Sequence, residues 1–317
     1  MQANNRKMPF LLLVLAIGCG DRADPTVAAD EEPGEVSAEA EAEGPPADGI
    51  IVSGFAGPES VVHDADADLY LVSNISGQPL ERDGDGFISR VAPDGTVSDL
   101  KWIDGAADGV TLHAPKGMGL HGDTLIVTDI DVVRLFDRRS GAPLGEWAVE
   151  GATFLNDVAV ASDGTVYVTD SGISLSEAGA EDNGSAAIHM FDADGAHSTF
   201  EAGDVTGING VAVRDGVVYG VTSFGNGMVF SVRAGTRTDL PPLPGVNLDG
   251  VVVMDDGGLL ISDWTTEAVY LLRENGAATI VARNVVSPAD IGIDRTRDRV
   301  LIPGLLTNQV LLAPISD

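Results

Sequence analysis

From residue 49 onward, short runs of apolar residues alternate with polar or small residues, and turn-forming residues separate the runs. The stretch FLNDVAVASDGTVYVTDSG (154–172) is typical. Val158 and Val160 alternate with small residues, and Val166 and Val168 resume the alternation after a Ser-Asp-Gly sequence that favours a tight turn. This pattern predicts a buried β-hairpin.

The same hairpin pattern recurs six times along the chain. The copies are PESVVHDADADLYLVSN (58–74), PKGMGLHGDTLIVTD (115–129), LNDVAVASDGTVYVTD (155–170), INGVAVRDGVVYGVTS (208–223), LDGVVVMDDGGLLISD (248–263) and PADIGIDRTRDRVLIPG (288–304). Further strand-like runs follow most copies, such as VVRLFD (132–137) and AVYLLR (268–273). About four strands per repeat, with almost no helical periodicity, is the pattern of β-propeller blades.

We therefore predict an all-β fold for residues 49–317, a six-bladed β-propeller with four-stranded blades. The early run GIIVSG (49–54) is well placed to complete the last blade, because the final repeat ends early. Closing the ring in this way protects sheet edges that otherwise invite aggregation. A β-sandwich is the main alternative, but it does not explain six copies of one pattern.

Alignment of the repeats produces a column of mostly polar residues at the start of the inner strands. Its members are Glu59, Lys116, Asn156, Asn209, Asp249 and Ala289. Inner strands line the central channel of a propeller, so we expect this column to converge on the axis. The next column contains Gly117, Gly210 and Gly250, which suit a close approach of backbones. Turn chemistry alone does not require oxygen-bearing side chains at matching positions of four blades.

Two carboxylates and two carboxamides at one channel mouth favour a bound cation, because clustered carboxylates repel one another without positive charge between them. Glu59 and Asp249 supply the negative charge, and Asn156 and Asn209 supply neutral carbonyl oxygens. Hard oxygen ligands completed by water suit one central Ca²⁺ ion. Zinc and copper are disfavoured, because the column contains no His or Cys.

The order Glu, Asn, Asn, Asp on successive inner strands, within PES, ND, NG and DG, resembles the senescence-marker-protein/gluconolactonase (regucalcin-like) family. It is also similar to the order in paraoxonases and diisopropyl fluorophosphatase. The resemblance covers essentially all of 49–317. It implies a six-bladed propeller with a central Ca²⁺ bound by Glu59, Asn156, Asn209 and Asp249, and hydrolysis of lactones or esters.

Two positions depart from the family pattern. Phe154 stands where the gluconolactonase branch has an Arg that helps to hold the sugar, two residues before the Asn of blade three. Lys116 places a cation in the ring, which the family does not lead us to expect. Phe154 predicts a pocket more apolar than a sugar site, which favours a hydrophobic lactone or an aryl ester as the small-molecule substrate.

Metal-assisted hydrolysis is the predicted mechanism: Ca²⁺ polarises a carbonyl, and Asp249 activates water or attacks directly. Asp157 is expected to support the site by orienting Asn156 or by pairing with Lys116. Lys116 either binds an anionic substrate or forms a salt bridge with Asp157 or Glu59.

His113, three residues before Lys116, is a further candidate as a base or substrate contact, although no orienting partner is visible and a loop histidine is the commoner case. A different class of function stays open. In that alternative the chain is a non-catalytic cell-envelope propeller that binds a ligand or protein and keeps its metal for structure.

The first residues have the parts of an export signal. Arg6 and Lys7 precede an apolar run, and LAIGCG resembles a bacterial lipoprotein signal. We predict a lipoprotein-type signal peptide over 1–18, cleavage before a lipidated Cys19, and a disordered acidic tether over 19–48. The chain would then be exported and held at the bacterial cell envelope by its lipid. Ordinary secretion with an idle Cys19 is the alternative.

The chain is strongly acidic, with 49 Asp and Glu against 18 Lys and Arg and a formal net charge of -31. A phosphate backbone would be repelled by such a surface, so nucleic acid is excluded as a partner. We expect a monomer that contacts a membrane only through the lipid anchor.

Overall fold

The computed structural model describes residues 49–176, 179–200, 205–225 and 227–315, and every regular element within these ranges is a β-strand. The predicted signal peptide, Cys19 and the acidic tether lie outside the described residues. In the described ranges we find no helix with the length and hydropathy needed to cross a membrane.

The strands form six four-stranded antiparallel sheets, which are the blades of a propeller. The described part of the chain starts with β1 (Ile50–Ser53). Blade one consists of β2 (Pro58–Asp64), β3 (Leu69–Asn74), β4 (Phe87–Val91) and β5 (Val97–Asp104). Blade two consists of β6 (Pro115–His121), β7 (Thr124–Asp129), β8 (Val132–Asp137) and β9 (Pro143–Ala148).

Blade three carries an insertion. Its sheet consists of β10 (Leu155–Val160), β11 (Val166–Asp170), β14 (Ala187–Phe191) and β15 (His197–Phe200), and a separate hairpin between the second and third of these consists of β12 (Ile173–Ser176) and β13 (Gly179–Asp182). Blade four consists of β16 (Ile208–Arg214), β17 (Val217–Thr222), β18 (Val229–Arg233) and β19 (Thr236–Asp239). Blade five consists of β20 (Leu248–Val253), β21 (Leu259–Asp263), β22 (Ala268–Leu272) and β23 (Ala278–Arg283).

Blade six joins the two ends of the described chain. It consists of β24 (Gly292–Asp294), β25 (Arg299–Gly304), β26 (Gln309–Pro314) and, as its outermost strand, β1. Antiparallel pairs such as Val52 with Val310 fix the register of β1 on β26. The predicted use of GIIVSG to complete the last blade is confirmed.

The apolar core lies between the blades. Six clusters of buried residues each combine side chains from two adjacent blades, because successive strand residues point to opposite faces and each sheet packs on both sides. The cluster between blades six and one, for example, joins Val52 and Leu312 to Tyr70 and Val91. No single blade can bury both of its faces alone, so stability depends on the closed ring.

An irregularity at the start of five inner strands places the polar column. In each of these blades, the register of the first strand against the second strand shifts by a β-bulge or a similar irregularity. The five shifts lie at Pro58/Val61, Pro115/Met118, Leu155/Val158, Ile208/Val211 and Leu248/Val251. The column residues of blades one to five each lie inside one of these shifts. A β-bulge changes the direction of its side chains, which explains how these residues turn away from the regular strand alternation.

Hydroxyl side chains on the second strands support the bulges. The backbone amide of Asp157 donates a 2.8 Å hydrogen bond to Oγ1 of Thr169, and that hydroxyl donates to the backbone carbonyl of Asn209 in the next blade at 2.6 Å. In blade five, Ser262 accepts from the amide of Gly250 and donates to the carbonyl of Ala289 in blade six, both at 2.8 Å. These bonds tie the bulge of blade three to the column residue of blade four, and the bulge of blade five to the column residue of blade six.

The glycine column is required by the close approach of neighbouring inner strands. A Cβ atom at Gly117 would lie 2.4 Å from Cα of Asp157, and one at Gly210 would lie 2.2 Å from the carbonyl oxygen of Asp249. At Gly250 the added atom would lie 2.4 Å from the backbone nitrogen of Ile291. The sequence interpretation of these glycines is confirmed.

The closing strand gives a test of the ring. Replacing buried Val52 with Ala removes two methyl groups from the cluster between blades six and one and should lower the free energy of unfolding by about 2 kcal/mol. Ile51 on the same strand is 53% exposed, so Ile51→Ala should change it by less than about 0.5 kcal/mol. Urea unfolding of both variants measures the difference. Equal effects would contradict the closure.

Candidate metal centre and active site

The polar column opens into one cavity at the channel mouth. The cavity has a volume of about 670 Å³, and five of the six column residues line it. Its remaining wall is largely apolar and comes from loops of several blades and from the inserted hairpin, mainly Ile75, Leu80, Phe154, Leu175, Phe224, Val246, Trp264 and Leu305. A mostly apolar pocket with a few convergent polar groups is the usual form of a small-molecule site.

Four side chains form what we call the oxygen quartet: Glu59, Asn156, Asn209 and Asp249. Each is buried, with an exposed fraction between 3% and 6%. Each also has one buried side-chain oxygen without a hydrogen-bond partner: Oε2 of Glu59, Oδ1 of Asn156, Oδ1 of Asn209 and Oδ1 of Asp249. Leaving a buried acceptor unpaired costs about 1–3 kcal/mol, so four together at one mouth form a set of acceptors suited to a cation.

The orientation of Asn156 is set by a neighbouring hydroxyl. Nδ2 of Asn156 donates to Oγ of Ser171 at 3.3 Å, and Ser171 donates in turn to the carbonyl of Ile208 at 2.7 Å. This chain of bonds uses the amide nitrogen of Asn156 on the wall and leaves its oxygen for the mouth.

Both carboxyl groups of the quartet, those of Glu59 and Asp249, have raised pKa values. Burial raises the pKa of Glu59 well above its usual range, and the charges of Asp249 and Asp290 raise it further, while Lys116 lowers it. Burial and then the charge of Asp290 raise the pKa of Asp249 in the same way. A cation between these carboxylates would stabilise their ionised forms.

The donor set fits a hard cation. Carboxylate and carboxamide oxygens are the ligand types that Ca²⁺ takes, and their unpaired oxygens are the ones a cation would use. Within the described ranges, no three His, Cys, Asp or Glu side chains come together as a metal-binding group. A metal at this mouth would therefore depend on the two carboxamides as well as on the two carboxylates.

Lys116 occupies the column position of blade two, but its ammonium is hydrogen-bonded to backbone carbonyls and not to the quartet. Its Nζ donates to the backbone carbonyl of Pro79 at 3.0 Å and to that of Ala114 at 3.1 Å, and lies 4.9 Å from the ring centroid of Phe154. Its described contacts include no ion pair with Asp157 or Glu59, and the side chain is 1% exposed. Burial lowers the pKa of the ammonium to about 8, against the opposing charges of Glu59 and Asp129.

Asp157 follows Asn156 on β10 and is buried, and it does not line the cavity. Its carboxylate accepts the backbone amide of Val158 at 2.6 Å and that of Val211 in the next blade at 2.7 Å. Burial and then the charge of Asp290 raise its pKa well above the usual range. The contacts expected for it from the sequence, with Asn156 or Lys116, are absent from its described hydrogen bonds and ion pairs. It joins blades three and four instead.

The two remaining candidates, Phe154 and His113, differ in position, because only Phe154 lines the cavity. Phe154 is buried and lines the cavity, as expected of an apolar wall. His113 does not line the cavity; its Nδ1 accepts the backbone amide of Gly84 at 3.1 Å. The contact makes His113 a support for a loop of blade one, which agrees with the view of it as a loop histidine.

Some residues that shape the site were not identified from the sequence. Leu80 and Trp264 come from loops without a repeat pattern, and Asp290 is hydrogen-bonded to Oγ of Ser60 at 2.5 Å, with burial raising its pKa to about 7. A signal for the supporting hydroxyls was present, because the second strands end in VSN, VTD, VTD, VTS and ISD. The recurrence of Ser or Thr at these ends marks the residues that brace the bulges in four blades, whereas Thr222 in blade four accepts the amide of Met228.

Comparison with known proteins gives no match to a family model and no match to a curated protein sequence. Many solved structures are similar. A gluconolactonase from Xanthomonas campestris has a TM-score of 0.65 and 20% identity, covering 93% of this chain and 99% of that one. A putative gluconolactonase has a TM-score of 0.61 and 19% identity, covering 84% of this chain and 93% of that one.

A catalytically inactive histidine variant of virginiamycin B lyase from Staphylococcus aureus, solved with quinupristin, is also similar. Its TM-score is 0.54 at 13% identity, with 84% of this chain and 100% of that one covered. Likeness at these identities establishes the fold. The chain therefore shares its propeller fold with these gluconolactonases and is also similar in fold to the lyase, in agreement with the resemblance seen in its inner-strand residues.

Proposed function

We propose that the protein is a Ca²⁺-dependent hydrolase of hydrophobic lactones or carboxylic esters. The observation that carries the proposal is the set of four unpaired, buried oxygens of the oxygen quartet on the floor of an apolar cavity. The gluconolactonases among the structural neighbours support lactone hydrolysis as the reaction class. Lipid anchoring at a cell envelope and a monomeric state remain predictions from the sequence.

The oxygen quartet would hold the cation. When bound, Ca²⁺ supplies a Lewis acid that polarises a carbonyl oxygen and stabilises the negative charge that develops on it. Asp249 lies in the cavity wall and would bind the cation through its unpaired Oδ1, which leaves its second carboxylate oxygen to take a proton from water or to attack the carbonyl carbon. Phe154, Leu80 and Trp264 exclude water around the reacting group.

The wall composition favours a neutral, apolar substrate over a sugar or an anion. Phe154 occupies the position from which the gluconolactonase branch contacts its sugar, and Leu80, Leu175 and Phe224 continue the apolar surface. The ammonium of Lys116 is already bonded to two carbonyls, so it offers little to an anionic substrate.

A histidine-dependent lyase is less well supported, although lyases share the fold. In the Staphylococcus lyase, an inactive variant carries a substituted histidine. The five histidines of this chain all lie in its described part, and none lines the cavity. A binding propeller with a structural metal is the second candidate, since the quartet alone fits it equally well.

Calcium binding is the first expected outcome. At a Ca²⁺ concentration of about 100 times Kd, the free energy of unfolding should rise by about 2.7 kcal/mol, which raises Tm by roughly 5–10 °C. Asn156→Ala and Asp249→Ala should abolish this shift and the calorimetric heat of Ca²⁺ binding. Asn247→Ala is the matched control, because Asn247 also lines the cavity but its Oδ1 already accepts the amide of Gly225. Unchanged Ca²⁺ affinity in both quartet variants would show that the oxygen quartet is not the Ca²⁺ site.

Substrate preference gives an independent test. Each methylene added to the ring substituent of a γ-lactone should raise kcat/KM about fourfold until the cavity is filled, because one buried methylene contributes about 0.8 kcal/mol. Gluconolactone should be a poorer substrate than alkyl lactones or aryl esters, and chelator should remove all turnover. Ca²⁺ binding without turnover of any lactone, aryl ester or phosphotriester would favour the binding module instead.

A further inference from the structure

One irregular segment covers the cavity from the side of blade one. Residues 75–86, which we call the roof segment, connect β3 to β4 and contain no regular strand. Gln78, Pro79, Leu80 and Glu81 of this segment line the cavity. Leu80 also packs on the apolar cluster at the mouth, which includes Ala114 and Leu305. The position of the roof segment therefore decides how closed the cavity is.

Backbone hydrogen bonds hold the two ends of this segment, and blade two with the loop before it supplies three further contacts. The bond from Lys116 to the carbonyl of Pro79 spans 37 positions of sequence, and Nδ1 of His113 accepts the amide of Gly84. At the outer side, Arg82 forms an ion pair with Asp131 at 2.6 Å. Of these three contacts, only that of Lys116 is completely buried and lies at the cavity itself.

This arrangement uses most of the hydrogen-bonding capacity of Lys116. An ammonium has three donors. Two of them go to the carbonyls of Pro79 and Ala114, and the third side of the group faces the ring of Phe154. Two of the three donors are therefore used by backbone carbonyls, which fixes the position of the group in the wall of the cavity.

Because burying the ammonium of Lys116 is unfavourable without hydrogen-bond partners, its contact with Pro79 favours one position of the roof segment. If the roof segment lifted, Nζ of Lys116 would lose the carbonyl of Pro79 while remaining inside the channel mouth. A buried charge that loses a hydrogen bond is strongly disfavoured, so the lysine favours the closed position of the segment. A Met or Leu at this position would fill similar space without that preference.

We propose that Lys116 is a positioning residue that holds the roof segment closed over the oxygen quartet. The proposal takes the quartet as the reacting site, and so rests on the function proposed above. In this role Lys116 binds neither metal nor substrate. It keeps Leu80 and Pro79 in the cavity wall and thereby maintains the water-excluding surface against which an apolar substrate packs.

Amide hydrogen exchange of the metal-free full chain tests the proposal without any substrate. Lys116→Met keeps the stem and removes the donors, so exchange of peptides covering 75–86 should become about tenfold faster, while peptides of β16 and β17 stay unchanged. Lys116→Arg retains the charge and two or more donors and should recover most of the protection. Trypsin cleavage after Arg82 should follow the same order.

Lys101→Met is the control. Lys101 is the other lysine of the propeller, and its Nζ also lies 4.9 Å from an aromatic ring, that of Phe87, but it makes no described bond to a roof carbonyl. Its replacement should leave exchange of 75–86 unaltered. Unchanged exchange of the roof segment in a folded Lys116→Met protein, or an equal rise in all six blades, would overturn the proposal.

The outcomes separate this proposal from the proposed function. If Lys116→Met loosens only the roof segment and no form turns over any ester, the positioning role stands and the hydrolase assignment fails. If the protein is active, Lys116→Met should raise KM for an alkyl lactone more than it lowers kcat. Its Ca²⁺ affinity should not weaken, because the variant removes a positive charge beside Glu59.

Discussion

The close approach of neighbouring inner strands is the constraint on which the site depends. Six strands meet around one axis, and at Gly117, Gly210 and Gly250 the backbones leave no space for a side chain. The residue before each glycine lies inside a β-bulge and has to turn its side chain out of the strand. A ring of convergent side chains at the channel mouth is the direct result of this crowding, whatever chemistry those side chains carry.

The electrostatics of the mouth follow from its burial. Glu59 and Asp249 are buried, and the charge of Asp290 acts on both, so ionisation of the two carboxylates is unfavourable in the absence of a cation. The one positive side chain of the column does not neutralise them by direct pairing, because Lys116 is bonded to backbone carbonyls. The unpaired oxygens of the quartet therefore remain available as acceptors, and Lys116 contacts the backbone instead of the carboxylates.

Much of the fold and part of the site could be predicted from the sequence, for a physical reason. Repeats force equivalent residues into equivalent positions, so the blades, the closing strand and the column that converges on the cavity were all visible in the alignment. The partners of Lys116 and Asp157 could not be found in this way. Pro79 contributes only its carbonyl, and Val211 only its amide, and backbone groups leave no mark in the residue types of a sequence. The roof segment was equally hidden, because loops between strands do not repeat.

The participation of β1 in blade six has a consequence for how the protein becomes functional. Because β1 pairs with β26, the ring joins the first and last described strands, and its contacts span almost the full length of the chain. Such long-range pairing makes folding slow, and it delays completion until synthesis has reached the C-terminal strands. The quartet draws on blades one, three, four and five, so a growing chain holds its ligands on separate, unclosed sheets. Assembly of the quartet is thereby coupled to the end of synthesis, and a truncated product would carry its four residues without the ring that brings them together.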